Sequence, residues 1–412
     1  MSPALARTFS SLKVPNYRKY FGGQLASITG NWMQTVGEMW LMVKLTGSGS
    51  LVGLTAGLQF LPILLFGAWG GLLADRLPKR RVLTYTQLSL TVPALTLFFL
   101  AASGAAEPWM VLALVLVRGS VLAIDNPSRQ SFVVEIVGPD RVVNAVALNS
   151  VVVHSSRILG PALAGGVIAL IGIAPCFLVN AFSFLAMFIA LRTMNPRELQ
   201  TPKPADRQPG EVRTALRYVR RTPELLVPLL MMALVGTISF NFQVLLPLLA
   251  DFTWHGTATT YALLTAAMGI GSVGGALAAG ARGRVSPKLL IGSSLLFGFA
   301  MLLAAAAPTL GLQVLALVPL GAASVTFAAG VNSALQIAVE PTMRGRVMAL
   351  YSVVFLGSTP IGAPLVGWLA EVAGPRAGMA LGATAALAAA ALASAAYAHT
   401  REHRVAASAV AA

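Results

Sequence analysis

Long apolar runs, broken only by short charged or Gly/Pro-rich turns, limit what this chain can fold into more than any other feature. A bilayer crossing takes about 20 apolar residues. Runs of that kind fall at about 20–44, 51–74, 82–103, 109–130, 146–171 and 176–193, and again at about 225–250, 258–280, 289–306, 312–335, 347–371 and 377–398. Twelve transmembrane helices are expected, with no sizeable soluble domain. Composition agrees: 10% of the 412 residues are charged, against about 25% in a soluble domain, and a mean hydropathy of +0.76 leaves lipid as the solvent.

The sides of the membrane follow from the basic residues, which are retained on the cytoplasmic side during insertion. With both termini cytoplasmic, 25 of the 29 Lys and Arg fall on inner segments. The formal charge of +15 is therefore read as topology rather than as a nucleic-acid surface. The expected location is the inner (plasma) membrane, multi-pass, with no removable signal peptide. The lone Cys176 is too little for a disulfide or a thiolate metal cluster, so neither a metal nor another cofactor is expected.

Residues 194–223 form the only long polar insert, Pro-rich at first and then basic, with Val212, Leu216 and Val219 on one helical face. The expected organisation is a six-helix bundle over 1–193, a cytoplasmic linker over 194–223 whose helix lies on anionic lipid, and a second bundle over 224–412. The halves resemble each other. A shift of 202 residues sets 147–172 over 349–374 with ten identities in 26 positions, among them Gly160 over Gly362 and Gly165 over Gly367. A shift of 204 sets Gly67, Gly70 and Gly71 over Gly271, Gly274 and Gly275. Two pseudo-symmetric bundles in the same orientation place a substrate site between them near the midplane.

Span one carries Gln24, Ser27, Asn31, Gln34 and Glu38, spaced 3, 4, 3 and 4, on one helical stripe. Glu38 is expected about 10 Å below the outer end, at 1.5 Å per residue, and an acid at such depth is a functional candidate. Arg118 in span four is expected about 15 Å deep. Burying it costs roughly 2.5 to 3.5 kcal/mol, so it needs an anion, and Glu38 is the best partner by depth. Asp125, His154 and Arg157 form a second candidate cluster, more structural than relaying. Asn31, Gln34, Trp40, Gln59, Phe240, Asn241 and Asn332 are candidates for lining an amphipathic cavity.

The loop after span two reads GLLADRLPKRR, residues 71–81. It resembles the signature loop of the major facilitator superfamily, Gly-x-x-x-Asp-Arg-x-Gly-x-Arg-Arg, with Pro78 at the usual glycine. The resemblance implies a gating role for Gly71, Asp75, Arg76 and Arg80. RILGPALAGG, residues 157–166, is similar to the family's antiporter motif, which attaches an exporter's role to Gly160, Pro161 and Gly165. With DNPSRQSFVVEIVGPDRVVNAVALNS (125–150) and NAFSFLA (180–186), the chain resembles the subgroup of enterobactin exporters and macrolide or multidrug efflux proteins. The fold implied is the major facilitator type. The function implied is proton-coupled export of amphipathic small molecules by alternating access, with Glu38 and Arg118 coupling the proton and small molecules, protons and lipids as partners of a monomer. No Walker lysine motif is present, so ATP is not the direct energy source. The rivals are an importer or facilitator of a small metabolite and, in another class, a membrane-embedded enzyme. The enzyme would need an acid/base pair or nucleophile at one depth, for which Asp125 and His154 are the only hint. A sensor or scaffold is a third rival.

Asp75 ends its own helix, where the dipole disfavours an anion, and span eleven starts on the same side of the membrane. Asp75→Asn is expected to forfeit roughly 0.3 to 1 kcal/mol of dipole interaction and to slow transport. Cysteines placed on the cytoplasmic ends of spans five and eleven, in a Cys176→Ser background, should label faster in Asp75→Asn than in its parent. Equal labelling with normal turnover would leave the loop a topology signal alone.

Overall fold

A computed structural model describes the chain over residues 10–200, 211–282, 286–340 and 343–410, and every regular element there is helical. Side chains at 68–76, 143, 154, 211–213, 280–282, 356 and 399–410 lie outside the described residues. Before the linker run α1 (Pro15–Thr46), α2 (Gly49–Arg76), α3 (Lys79–Ser103), α4 (Pro108–Val137), α5 (Val142–Ile171) and α6 (Ala174–Arg192). The linker holds α7 (Glu211–Arg221). After it come α8 (Pro223–Ile238), α9 (Phe242–Leu248), α10 (Ala258–Arg282), α11 (Pro287–Ala306), α12 (Leu310–Ala338), α13 (Arg344–Leu356), α14 (Thr359–Ala373) and α15 (Pro375–Val410).

Among the described residues eleven stretches are long and apolar enough to cross a bilayer, with α8 and α9 joined in Pro223–Thr253 and α13 and α14 in Arg344–Ala373. The remaining member of the expected twelve, α1, stands outside that set although its 32 residues reach about 48 Å at 1.5 Å per residue. Its polar stripe lowers its hydropathy, and the same residues turn inward: Gln24, Ser27, Gln34 and Glu38 are all buried. A strongly polar stripe can lie at membrane depth only where protein covers it.

Two crossings are interrupted. Between α8 and α9 the Asn241 side chain donates to the carbonyls of Thr237 (2.7 Å) and Ile238 (3.1 Å), so the acceptors that the break leaves over are used locally. Between α13 and α14 the chain passes Gly357 and Ser358 before Pro360, and proline in a helix's first turn forfeits no internal hydrogen bond. At Pro161, by contrast, α5 runs on unbroken.

The chain divides into two compact units. One comprises Met1–Gly47, Leu58–Asp206 and Gly256–Ala266; the other comprises Ser48–Gly57, Arg207–His255 and Ala267–Ala412. In the first, α1 packs on α6, α5 and α4. One end of that unit is sealed by Tyr17, Tyr20, Leu83, Phe132, Met187 and Leu191, with the Tyr17 hydroxyl donating to the Ala145 carbonyl at 2.9 Å. In the second unit α11 packs on α12 and α15, and α8 on α15. The opening turns of α2 belong to this unit because they pack on α14. There Ser48 Oγ accepts from the Leu51 amide (3.3 Å) to start α2, and both Ser48 Oγ and the Ser50 amide donate to Glu371 Oε2 at 2.8 Å. A carboxylate from α14 thus completes the first turn of α2.

The linker helix meets protein along one side. Ala215 and Val219 of α7 are fully or almost fully buried, because α7 lays its apolar face on α8 and α13, and the Tyr218 hydroxyl accepts from the Glu340 amide at 3.4 Å. Of the expected face, Val219 is covered by protein, while Leu216 stays exposed beside Arg217, Arg220 and Arg221.

The repeated glycines mark matching contacts. A Cβ on Gly160 would meet Trp32 Cβ at 2.5 Å and the Thr29 carbonyl at 2.9 Å on α1; its counterpart Gly362 touches the Thr237 carbonyl on α8. Gly165 touches Ala262 at the start of α10, and its counterpart Gly367 touches Gly49 at the start of α2. Each glycine allows helix backbones to approach more closely than any side chain would. Gly165 and its neighbour give opposite expectations. Gly165→Ala collides with the Ala262 methyl and should cost about 1 to 3 kcal/mol, whereas nothing lies within 4 Å of a Cβ on Gly166, so Gly166→Ala should be neutral or gain up to about 1 kcal/mol of helix propensity. Thermal unfolding of the purified variants checks the contrast.

Candidate functional site

The site is built on α1. Its stripe repeats every 3 or 4 residues, so successive polar side chains stack along one helix face, and each meets a polar partner from another helix. Gln24 donates to Asn149 of α5. Ser27 Oγ donates to Gln87 Oε1 of α3 (3.3 Å) and accepts from Arg129 Nη2 of α4 (2.9 Å). Asn31 Oδ1 accepts from Arg118 Nη1 at 2.8 Å. Gln34 Oε1 accepts from Asn180 Nδ2 of α6 at 2.5 Å.

At the outer end of the stripe the expected ion pair is present. Arg118 Nη2 lies 2.5 Å from Glu38 Oε2, and both side chains are 0% exposed. The other carboxylate oxygen accepts from Gln34 Nε2 at 2.8 Å. The guanidinium also approaches Thr35 Oγ1 at 3.4 and 3.5 Å. Its Nε has no hydrogen-bond partner among the described residues. The fork is thus spread over a carboxylate, an amide and a hydroxyl, a division of donors that a point ammonium would not reproduce. In so dry a place neither charge is tolerable without the other.

Arg118 and Asp125 stand seven residues apart on α4, about 10 Å along the axis, and Asp125 anchors a second buried network. Its carboxylate accepts from Thr86 Oγ1 (2.6 Å) and Gln87 Nε2 (2.8 Å) of α3 and from Arg129 Nε. Arg129 also reaches Gln87 Oε1 at 3.0 Å. Asp125 thus has a partner beyond the expected grouping with His154 and Arg157. Arg129 is one helical turn from Asp125 on the same helix and meets it directly, while the Arg157 guanidinium lies over the Trp32 ring at 5.4 Å. His154 lies outside the described side chains. Sequence reasoning missed Arg129 by counting it among the cytoplasmic charges; its i,i+4 spacing from a membrane acid was the available signal. It also missed Asn180 and Ser183 of α6, whose polarity in an otherwise apolar helix is the only sign of their role.

The remaining candidates are dispersed. Trp40 is buried, stacked on Tyr261 at 6.1 Å with Lys44 Nζ 4.7 Å from its ring. It borders a cavity of about 680 Å³ with Leu41, Phe98, Ile168 and Pro175. Gln59 is buried on α2, and its backbone carbonyl touches Gly119. In the second unit Phe240 joins an aromatic cluster with Phe297 (5.3 Å) and Phe355 (5.5 Å). Asn241 is taken up at the helix break, and Asn332 accepts from Gln336 at 2.5 Å. Of the residues expected to gate, the side chains of Gly71, Asp75 and Arg76 lie outside the described residues. Arg80 donates to the carbonyls of Leu191 (2.7 Å) and Arg192 (3.0 Å), capping α6, and Lys79 pairs with Glu135 at 2.7 Å. Gly160 and Gly165 act in packing, as described, with Pro161 between them. Among the described residues no group of three His, Cys, Asp or Glu is arranged to hold a metal.

Comparison with known proteins gives a consistent picture. The family model described as transmembrane secretion effector matches residues 6–410. The chain is 26% identical over 293 residues to the staphyloferrin A transporter of Staphylococcus aureus, covering 69% of this chain and 72% of that one. It is 26% identical over 347 residues to the enterobactin exporter EntS of Citrobacter koseri, covering 82% and 78%. Among solved structures, a bacterial homologue of the human lysosomal transporter Spinster superposes with a TM-score of 0.70 at 17% identity, covering 96% of each chain. At that identity the likeness concerns the fold.

If the ion pair holds α1 to α4, removing one partner should be worse than removing both. Arg118→Leu is expected to destabilise by about 3 to 5 kcal/mol, and Glu38→Leu combined with Arg118→Leu to recover most of that loss. Melting temperatures of the purified variants check this; equal losses in single and double variants would mean that the charges do not support each other.

Proposed function

The chain belongs to the transmembrane secretion effector family, transporters of the major facilitator type, and from that premise we propose that it is a proton-coupled exporter of amphipathic small molecules working by alternating access. The observation that carries the reading is the buried Glu38–Arg118 pair. A carboxylate held by a guanidinium and an amide, with no exposed surface, is a group whose proton affinity depends on whether those partners stay in place. A change of state that moves α4 relative to α1 would alter that affinity, so that a proton taken up on one side is released on the other. Each proton carries roughly 2.3 kcal/mol per 100 mV of membrane potential, enough to drive cargo uphill.

Export is favoured by the antiporter-like glycines of α5 and by the enterobactin exporter among the relatives. That relative and the staphyloferrin A transporter suggest cargo carrying both polar and apolar surface. Trp40, Gln59, Phe240, Asn241 and Asn332 would offer it aromatic and neutral polar contacts. The cytoplasmic side would carry both termini and α7, consistent with the basic-residue count. The protein would act as a monomer. Asp125 and Arg129 would hold the first unit together while the Glu38 pair titrates.

The test is accumulation of a chemically diverse panel, including siderophores and macrolides, in a host stripped of its own exporters. The native chain should lower the internal level of at least one compound in a gradient-dependent way. Glu38→Gln should abolish that uphill efflux while leaving some binding, and Arg118→Lys should transport poorly. Undiminished efflux by Glu38→Gln would sink the assignment, and substrate-driven proton movement of the opposite sign in inverted vesicles would favour import.

A further inference from the structure

Glu38 ends a hydrogen-bond chain whose direction can be followed atom by atom. Ser183 Oγ donates to Asn180 Oδ1 at 2.7 Å, Asn180 Nδ2 donates to Gln34 Oε1 at 2.5 Å, and Gln34 Nε2 donates to Glu38 Oε1 at 2.8 Å. Arg118 Nη2 donates to the other carboxylate oxygen. Glu38, Gln34, Asn180 and Arg118 are 0% exposed and Ser183 is 8% exposed. Every hydrogen in the chain points towards the carboxylate, an arrangement suited to the anion.

A protonated Glu38 has the opposite need. Its new O–H requires an acceptor, while Gln34 presents a donor. Water does not readily take over, because Glu38 is 0% exposed and α1 and α6 touch on both sides of the chain: a Cβ on Gly37 would meet the Phe177 ring at 3.1 Å, and one on Gly30 would meet Asn180 Oδ1 at 2.5 Å and collide with Ser183 Oγ. The chain itself contains the remedy. A primary amide carries an acceptor and a donor on similar arms, so turning over Gln34 offers its oxygen to Glu38 and its NH2 to Asn180. Turning over Asn180 offers its oxygen to Gln34 and its NH2 to Ser183 Oγ. The Ser183 hydroxyl hydrogen then goes to the Asn180 backbone carbonyl, which already lies 2.7 Å from Oγ. The serine oxygen need not move in either state. One O–H bond forms on Glu38, no other covalent bond changes, and the proton comes from and returns to the aqueous phase.

We propose that Asn180 and Ser183 are positioning residues for proton carriage, forming with Gln34 a reversible amide relay that satisfies Glu38 in both its charged and its neutral form. This rests on the reading of Glu38 as the proton carrier. The charged group facing Glu38 is Arg118 from α4. From α6 the relay brings the neutral Asn180 and Ser183, and α1 itself adds Gln34 and Thr35, also neutral. The relay explains why a helix as apolar as α6 buries an amide and a hydroxyl one turn apart on the face that meets α1.

pH-difference infrared spectroscopy on the full chain in lipid bilayers tests this with protons as the only probe. The native chain should show a carboxylic-acid stretch that is lost in Glu38→Gln, accompanied by difference bands from Asn and Gln side-chain amides. In Asn180→Leu the carboxyl band should move to higher frequency and the amide bands should weaken or vanish. Ser183→Ala leaves more room beside Gly30, so it serves even if Asn180→Leu does not fold, and the same changes are expected in it. A Glu38 band that keeps its frequency and its amide companions in the variants that fold would overturn the relay. No Glu38-dependent band in the native chain would overturn the reading of Glu38 as proton carrier, and the relay with it.

Discussion

A polar side chain placed in a bilayer must find its partner within the protein, and the stripe on α1 imposes that requirement at five levels of one helix. Gln24 is met from α5, Ser27 from α3 and α4, Asn31 and Glu38 from α4, and Gln34 from α6. The helix least suited to lipid is therefore the one around which its unit is assembled. Apolar packing holds the helices together without choosing one rotation of α1 over another, since lipid tails and leucines are alike to it. The stripe makes that choice, because a turn of the helix about its axis would leave a carboxylate and several amides without partners.

Much of this was legible in the sequence. The all-helical character and the approximate ends of the apolar helices follow from hydropathy, and two opposite charges expected at similar depth in lipid have little choice but to meet. What the sequence did not show was competition among partners. Asp125 has Arg129 one turn away on its own helix and pairs with it there, a partner hidden when Arg129 is counted only with the cytoplasmic charges. The linker helix illustrates a similar limit. An amphipathic pattern states that one face will be covered but not by what, and α7 packs one side on α8 and α13.

Small residues gave a clearer sign than charged ones. The glycines aligned by the internal repeat make equivalent contacts, Gly160 on α1 and Gly362 on α8, Gly165 on α10 and Gly367 on α2. A glycine retained at the same place in both halves of one chain reports a close approach more dependably than the motif it belongs to.

The first turn of α2 has a consequence of its own. Its amide ends are finished not by a local side chain alone but by Glu371, more than 300 residues further along the chain and exposed near the C-terminal end of α14. A cap borrowed from another helix cannot follow α2 if the two part, so separation would leave the start of α2 to be hydrated. Being exposed, the contact is also open to screening by dissolved ions, whereas the dry pair at Glu38 is not. That end of the second unit is thereby made responsive to the ionic strength of the surrounding medium, while the pair buried in the first is insulated from it.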